Sequence, residues 1–372
     1  MNTKVKNIVI CVLMAIILFT LSALCLFGEK KEFLDTERRP AAEFPELSYE
    51  SIMKDGVEYS DSFMSKFEKY ALDIFPFRDA FRTLKAFCAN YVFLHKDNNN
   101  IFISDGYAAE MQYPLNDSSI EHATSRFEFI YNRYLKDLGI TPYISIIPDK
   151  AYFLAEKNGN LSMDYEKFVQ KFSDKMDYAE YIDIFGELSI EDYYKTDTHW
   201  RQEKLVDIAE ILVNAMGGSY DSTFDINKLD NPFYGVYYGQ AALPLPAETI
   251  YYLTNENILN VKVYDHQNNR EISLYDMEKA YGKDPYDMFM SGELSLVTIE
   301  NPNAKTDKEL IIFRDSFGRS IIPLMAEDYA KITVIDIRYL PSPMLGAYVN
   351  FENAEVLFLY STLVLNASAT LN

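Results

Sequence analysis

A serine hydroxyl attacks an acyl carbon only when a base removes its proton. The 372-residue chain offers four histidines for that role, His95, His122, His199 and His266. His199 lies in Lys195-Thr196-Asp197-Thr198-His199-Trp200, with an aspartate two residues before it and the chain's single tryptophan directly after. Residues i and i+2 of an extended stretch project to one face, so Asp197 could orient the His199 ring and stabilise its protonated form. The matching alcohol is Ser316. It follows the apolar run Leu310-Ile311-Ile312-Phe313 within Arg314-Asp315-Ser316-Phe317-Gly318-Arg319. That pattern reads as a strand turning directly into a helix, which puts the serine at the carboxyl end of a sheet strand, where open α/β sheets build their sites. Backbone N–H groups at the helix start could hold a tetrahedral oxyanion, and Gly318 permits the tight turn.

Each motif also has a plainer reading. Ser316 could cap the following helix while Asp315 completes the turn. Asp197 or Thr198 could cap a helix starting near Gln202, with Glu203 just inside it and Trp200 as packing. The histidine, aspartate and tryptophan clustered together, combined with the strand-Asp-Ser-helix more than a hundred residues later, favour catalysis.

The elements that must position these residues alternate. Past Asn98-Asn99-Asn100 the pattern predicts a helix over Ser119–Leu138, a strand over Thr141–Ile147, a helix near Tyr165–Tyr181 and strand-like Tyr181–Ile184. A helix over Gln202–Met216 ends at Gly217-Gly218. Strands at Leu310–Phe313, Ile332–Ile337 and Val356–Tyr360, the first two separated by a helix near Ser320–Tyr329, give the grammar of a parallel sheet. Residues 221–305, rich in Pro and Tyr, read as an irregular insertion near the site. Between Ser62 and Tyr91, apolar residues recur at helical spacing around Phe75-Pro76-Phe77, predicting two helices joined at Pro76 whose apolar stripe belongs to a core.

The Tyr193-Tyr194-Lys195 and Asp197-Thr198-His199-Trp200 stretches and Phe313–Arg319 resemble the DHHW family, relatives of the SGNH-hydrolase-like alginate O-acetylation proteins. Asp73-Ile74-Phe75-Pro76-Phe77-Arg78-Asp79 and Ile147-Pro148-Asp149-Lys150 resemble it too, so the likeness spans nearly the whole chain past the amino terminus. The resemblance implies an SGNH-like α/β fold with a parallel sheet flanked by helices. It carries the acid–base pair onto Asp197 and His199 and the nucleophile onto Ser316, in an order opposite to ordinary SGNH esterases, whose serine comes first. Arg314 stands where GDS-type esterases have glycine, and Thr198 replaces the second residue of the family's motif. Arg319 could anchor an anionic group or pair with nearby acids on the surface. Trp200, Tyr238 and, more loosely, Tyr237 and Gln240 are candidates to line a sugar groove.

Composition narrows the partners. A formal charge of −21 and a pI near 4.6 oppose nucleic acid and anionic lipid headgroups at long range, because such binding needs Lys and Arg against phosphate. The abundant aromatics, 29 Tyr and 25 Phe, suit neutral polymers such as sugars. Cys11 and Cys25 lie in the apolar amino-terminal run and Cys88 stands alone, so neither a disulfide framework nor a Cys-based zinc site is expected outside that run. The histidines form no metal-binding pair, and no metal or other cofactor is expected.

Ile8 to Phe27 is an uncharged run of twenty residues, long enough at ~1.5 Å per residue to cross a ~30 Å hydrocarbon layer. Lys4 and Lys6 precede it, which favours a cytoplasmic amino terminus and an outside location for everything after Gly28. A cleaved signal peptide is the competing reading, opposed by the run's length and the lack of a small-x-small site. The expected organisation is therefore a cytoplasmic tip and anchor over residues 1–28, a linker over 29–60 and an extracytoplasmic SGNH-like domain over 61–372. Two functions of different class follow from the resemblance. One is a cell-membrane O-acetyltransferase, or its sister esterase, that takes acetyl groups passed outward by a membrane-bound O-acyltransferase and delivers them to polysaccharide hydroxyls. The other is a non-catalytic scaffold that binds the polymer or the acyltransferase.

Overall fold

Strands whose two faces are both apolar are stable only in a sheet covered on both sides. The computed structural model, which describes residues 3–48 and 62–372, builds that arrangement. The later part of the expected linker, residues 49–60, lies outside the described residues. The chain divides into two compact units, Met1–Asn98 with Gly239–Pro244, and Asn99–Tyr238 with Leu245–Asn372.

The second unit holds an eight-stranded sheet. Numbered in chain order within it, the strands are β1 Tyr143–Ile147, β2 Glu180–Tyr181, β3 Lys262–Asp265, β4 Arg270–Ile272, β5 Leu296–Glu300, β6 Glu309–Arg314, β7 Lys331–Ile335 and β8 Ala354–Ser361. Their spatial order is β4-β3-β5-β7-β6-β8-β1-β2. From β7 to β2 every neighbour is parallel, whereas β5 joins β7 antiparallel and carries the β3–β4 hairpin at the sheet's edge. The fold is thus mixed α/β, with the parallel sheet the sequence suggested and an antiparallel extension it did not. That extension comes from the stretch read as irregular. Its strands are short and separated by polar turns, too brief for a clear alternation to register.

Side-chain alternation builds the two covering layers. Leu310 and Ile312 of β6 face one core with Val334, Leu357 and the helices Val206–Ala215 and Gly318–Met325. Ile311 and Phe313 face the other, with Ile335, Phe358 and the helices Asp117–Ile130 and Tyr165–Lys175. Each fully buried Leu, Ile or Phe here contributes about 1.5–3 kcal/mol relative to exposure. The strand β6 that carries the serine is therefore packed on both faces and held by parallel neighbours on both edges.

The first unit contains the helix Thr3–Phe27, long and apolar enough to cross a membrane. The helices Phe63–Asp73 and Arg78–Phe87 follow, the first started by Ser62, whose hydroxyl accepts the Ser65 amide. Their aromatic stripe does not form a core. Phe63, Tyr70, Ala71 and Ile74 are half-buried, Phe67, Phe77, Phe81, Leu84 and Phe87 are exposed, and the inward faces carry ion pairs of Arg39 with Asp73 and of Arg78 and Arg82 with Glu37.

Candidate active site

β6 ends at Arg314, and Asp315–Phe317 turn into the Gly318–Met325 helix at the carboxyl edge of the sheet. The turn is tight because residue 318 is glycine, where a Cβ would come within 2.8 Å of the Arg314 Cβ. Asp315 is buried and locks the turn from inside. Its Oδ1 accepts the Phe317 amide at 3.0 Å, and its Oδ2 accepts the amide and hydroxyl of Ser361, at the end of β8, at 2.7 and 2.6 Å. With Asp315 directed inward, Ser316 is the one residue between Leu310 and Tyr329 that is not buried. It does not cap the helix. Phe317 precedes the first helical residue, and no side-chain cap forms there.

Arg314, which stood where a glycine was expected, is buried beside Asp336 at 2.9 Å and also donates to the Leu294 carbonyl. Its charge is paired with Asp336, the residue that follows β7. Among the amides of the turn, that of Phe317 is taken by Asp315, and those of Gly318 and Arg319 return to the carbonyls of Asp315 and Ser316. The Ser316 amide is left as the donor in this turn for an oxyanion.

The histidine arrives from a separate segment. Tyr193 and Trp200 form an antiparallel bridge, so the six residues between them close a tight loop. Asp197 sits in it almost fully buried, and its Oδ1 lies 2.6 Å from His199 Nδ1 and 3.1 Å from the His199 amide. His199 Nε2 lies 2.8 Å from Ser316 Oγ. With Asp197 ionised, Nδ1 carries the ring proton and Nε2 accepts from the serine hydroxyl. Neither Asp197 nor Thr198 is a helix cap, because a 3-10 turn over Gln202–Lys204 intervenes and the helix proper starts at Val206.

Residues to which the sequence assigned no role hold this loop. Glu248 accepts the amides of Lys195 and Thr196 and the Thr196 hydroxyl, each at 2.7 Å. Gly235 presses its backbone onto Asp197, where a Cβ would lie 2.2 Å from the Asp197 Cα, and this approach lets the Val236 amide donate to Asp197 Oδ2 at 2.9 Å. Tyr286 stacks on the imidazole, with ring centres 3.9 Å apart and planes 8° from parallel, while its hydroxyl donates to Ser320. Lys150 is buried and donates to the carbonyls of Tyr194 and Lys195 at 2.9 and 3.2 Å. Burial pushes its amine down to about 7 against the opposing pull of Asp197, Glu248 and Asp149. Glycines and lone polar residues leave no periodic signal, and only proximity in the fold assigns these roles.

The expected substrate-contacting residues fare differently. Trp200 is fully buried and donates its indole N–H to the Phe317 carbonyl at 2.9 Å, which ties the histidine loop to the serine turn and leaves no face for a ligand. Arg319 is neither a surface residue nor free to bind an anion. It is buried, paired with Asp287 at 2.6 Å and set over the Tyr286 ring. Tyr237 is buried, with its hydroxyl donating to Thr198, and Gln240 is exposed. Tyr238, half-buried against Tyr234 and donating its amide to the Thr196 carbonyl, is left as the candidate contact at the rim. Among the described residues no group of three or more His, Cys, Asp or Glu is arranged to hold a metal ion.

No family sequence model and no curated protein sequence matches the chain. Solved structures do. A DHHW family protein from Eubacterium siraeum is 21% identical with a TM-score of 0.57, over 72% of this chain and 93% of its own. PatB1 of Bacillus cereus, solved with a sulfonyl adduct, is 19% identical with a TM-score of 0.57, over 71% of this chain and 95% of its own. The O-acetyltransferase domain of Pseudomonas putida AlgJ also matches, at 11% identity, over 72% of this chain and 92% of its own, with a TM-score of 0.43, below the level at which a likeness carries weight. The chain therefore shares its fold with a DHHW family protein and with PatB1, in line with the resemblance of its motifs.

Proposed function

We propose that this protein is a membrane-anchored, extracytoplasmic O-acyltransferase that moves acetyl groups onto hydroxyls of a cell-surface or secreted polysaccharide. The observation that carries the reading is the continuous hydrogen-bonded line from Asp197 through His199 to Ser316, the one residue between Leu310 and Tyr329 that is not buried. In the first half-reaction His199 Nε2 takes the Ser316 proton as Oγ bonds to the acyl carbon, and the Ser316 amide donates to the oxyanion. The intermediate collapses when the bond to the donor's leaving oxygen breaks and His199 returns the proton to that oxygen. In the second half His199 deprotonates an acceptor hydroxyl, which attacks the acyl-serine, and as the bond to Oγ breaks His199 returns that proton to Ser316. Asp197 keeps the ring in the required tautomer and offsets its charge at each protonation. Water in place of the sugar hydroxyl gives hydrolysis from the same acyl-enzyme.

The likeness in fold to PatB1 and the DHHW family protein supports this chemistry, and the apolar Thr3–Phe27 helix supports the anchoring. The acyl donor in this reading is a membrane-bound O-acyltransferase that hands acetyl across the bilayer. The test is a chromogenic acetyl ester offered to the purified protein. A burst of released chromophore is expected that Ser316→Ala removes and Asp197→Asn slows by roughly ten-thousandfold. Unchanged polymer acetylation in cells carrying a folded Ser316→Ala variant would instead favour a non-catalytic scaffold.

A further inference from the structure

We propose that the helical pair following the anchor is an interfacial membrane element, seated in the headgroup layer of a lipid bilayer with Phe77, Phe81, Leu84, Phe87 and Tyr91 against lipid. The inference rests on the reading of Thr3–Phe27 as a membrane span.

The first support is an inverted amphipathicity. Phe77, Phe81, Leu84 and Tyr91 recur at three-, four- and seven-residue steps and form an outward stripe, exposed to 69%, 47%, 56% and 63%. The opposite face carries Arg78 and Arg82, half-buried against Glu37 at 2.7 and 2.8 Å, and the buried Ala86 and Ala89. A helix packed on a water-soluble body turns the apolar stripe inward. Here the charged stripe is turned to protein and the aromatic one away from it, as on a helix whose outer neighbour is lipid.

The second support is position. Lys30 donates to the Tyr70 hydroxyl at 2.6 Å, Arg39 pairs with Asp73, and Phe44 packs edge-on against Tyr70. Lys30 is three residues past the end of the apolar helix, about 10 Å of extended chain at most. The polar layer on each side of the hydrocarbon is only ~5–8 Å deep. The pair is thus pinned where the chain leaves the bilayer, a depth at which aromatic rings are enriched.

The third support is charge. Residues 62–98 carry six Lys or Arg against four Asp or Glu, in a chain whose net charge is −21. The long-range repulsion expected between so acidic a protein and anionic headgroups is relieved in this segment.

The test uses the full chain in protein-free vesicles of phosphatidylcholine and phosphatidylglycerol. Trp200 is buried and is the only native tryptophan, so it sets the baseline for a Phe77→Trp variant and, independently, for Tyr91→Trp. An alkaline wash first establishes that the chain stays with the vesicles. The added indole should then emit to the blue of a water-exposed one, and lipids carrying a nitroxide near the headgroup should quench it several-fold while leaving Trp200 unchanged. Water-like, unquenched emission from both variants in a chain that stays with the vesicles overturns the proposal. So does an indole that becomes covered only when a second membrane protein is added, which would make the face a protein-docking surface. Loss of the chain in the wash overturns the span itself, and with it the proposal's premise, and is read separately from the quenching.

Discussion

Tyr286 and Lys150 neither donate nor take a proton in the proposed reaction; Tyr286 touches His199, and Lys150 holds the backbone of the histidine loop. Tyr286 lies flat on the imidazole, restricting its rotation and offering a π-face to the charge that forms on His199 when Ser316 is deprotonated. Its hydroxyl serves Ser320, not the reaction. Tyr286→Phe should therefore keep nearly full turnover, while Tyr286→Leu should lower kcat about tenfold with KM little changed, the scale of one aromatic contact. Ester turnover by the two variants checks this, and equal losses in both would remove the stacking argument. Asp197, His199 and Ser316 were singled out in the sequence because acyl transfer would need those residue types and four histidines leave few choices, and the fold brings the three within hydrogen-bonding distance. Tyr286 was not, since one tyrosine among 29 carries no signal until the fold sets it on the ring.

At the scale of elements, the strand-to-helix turn and the histidine loop are each closed by contacts from elsewhere in the chain. Asp315 fastens the turn to the end of β8, and Gly235 fastens the loop by lying against Asp197. A methyl group at 235 would collide with backbone, which no rotamer change relieves. Gly235→Ala should cost about 1–3 kcal/mol of stability by overpacking. It should also abolish most ester turnover, because Asp197 must move to make room. Denaturation and turnover measured on one preparation test the pairing, and a variant with full activity would show that the loop tolerates displacement. The strands β1, β6, β7 and β8 were legible as apolar runs because burial on both faces demands them. The β3–β4 hairpin was not, since its edge position leaves room for polar residues that break the pattern. The helices around Pro76 were located correctly, but their stripe was assigned to a core, because periodicity reports which residues share a face and not what that face meets.

For the whole molecule, stability should record the buried lysine. The Lys150 amine titrates near 7 when folded and at its ordinary 10.5 when unfolded. Between those values the unfolded chain binds the extra proton, so this group makes stability rise with pH by about 1 kcal/mol per unit across that window. Lys150→Met should flatten that rise relative to the parent chain in denaturant titrations at pH 7 and 9. An undiminished slope would mean that the lysine is charged in the folded state.

The most direct measurement on the central claim is the intact mass of the protein after treatment with a small sulfonyl fluoride, which adds to a hydroxyl when a neighbouring base activates it. The account requires one added sulfonyl group on Ser316, absent from Ser316→Ala and strongly slowed in His199→Ala. Labelling at another residue, or labelling of Ser316 at the same rate without His199, would contradict it.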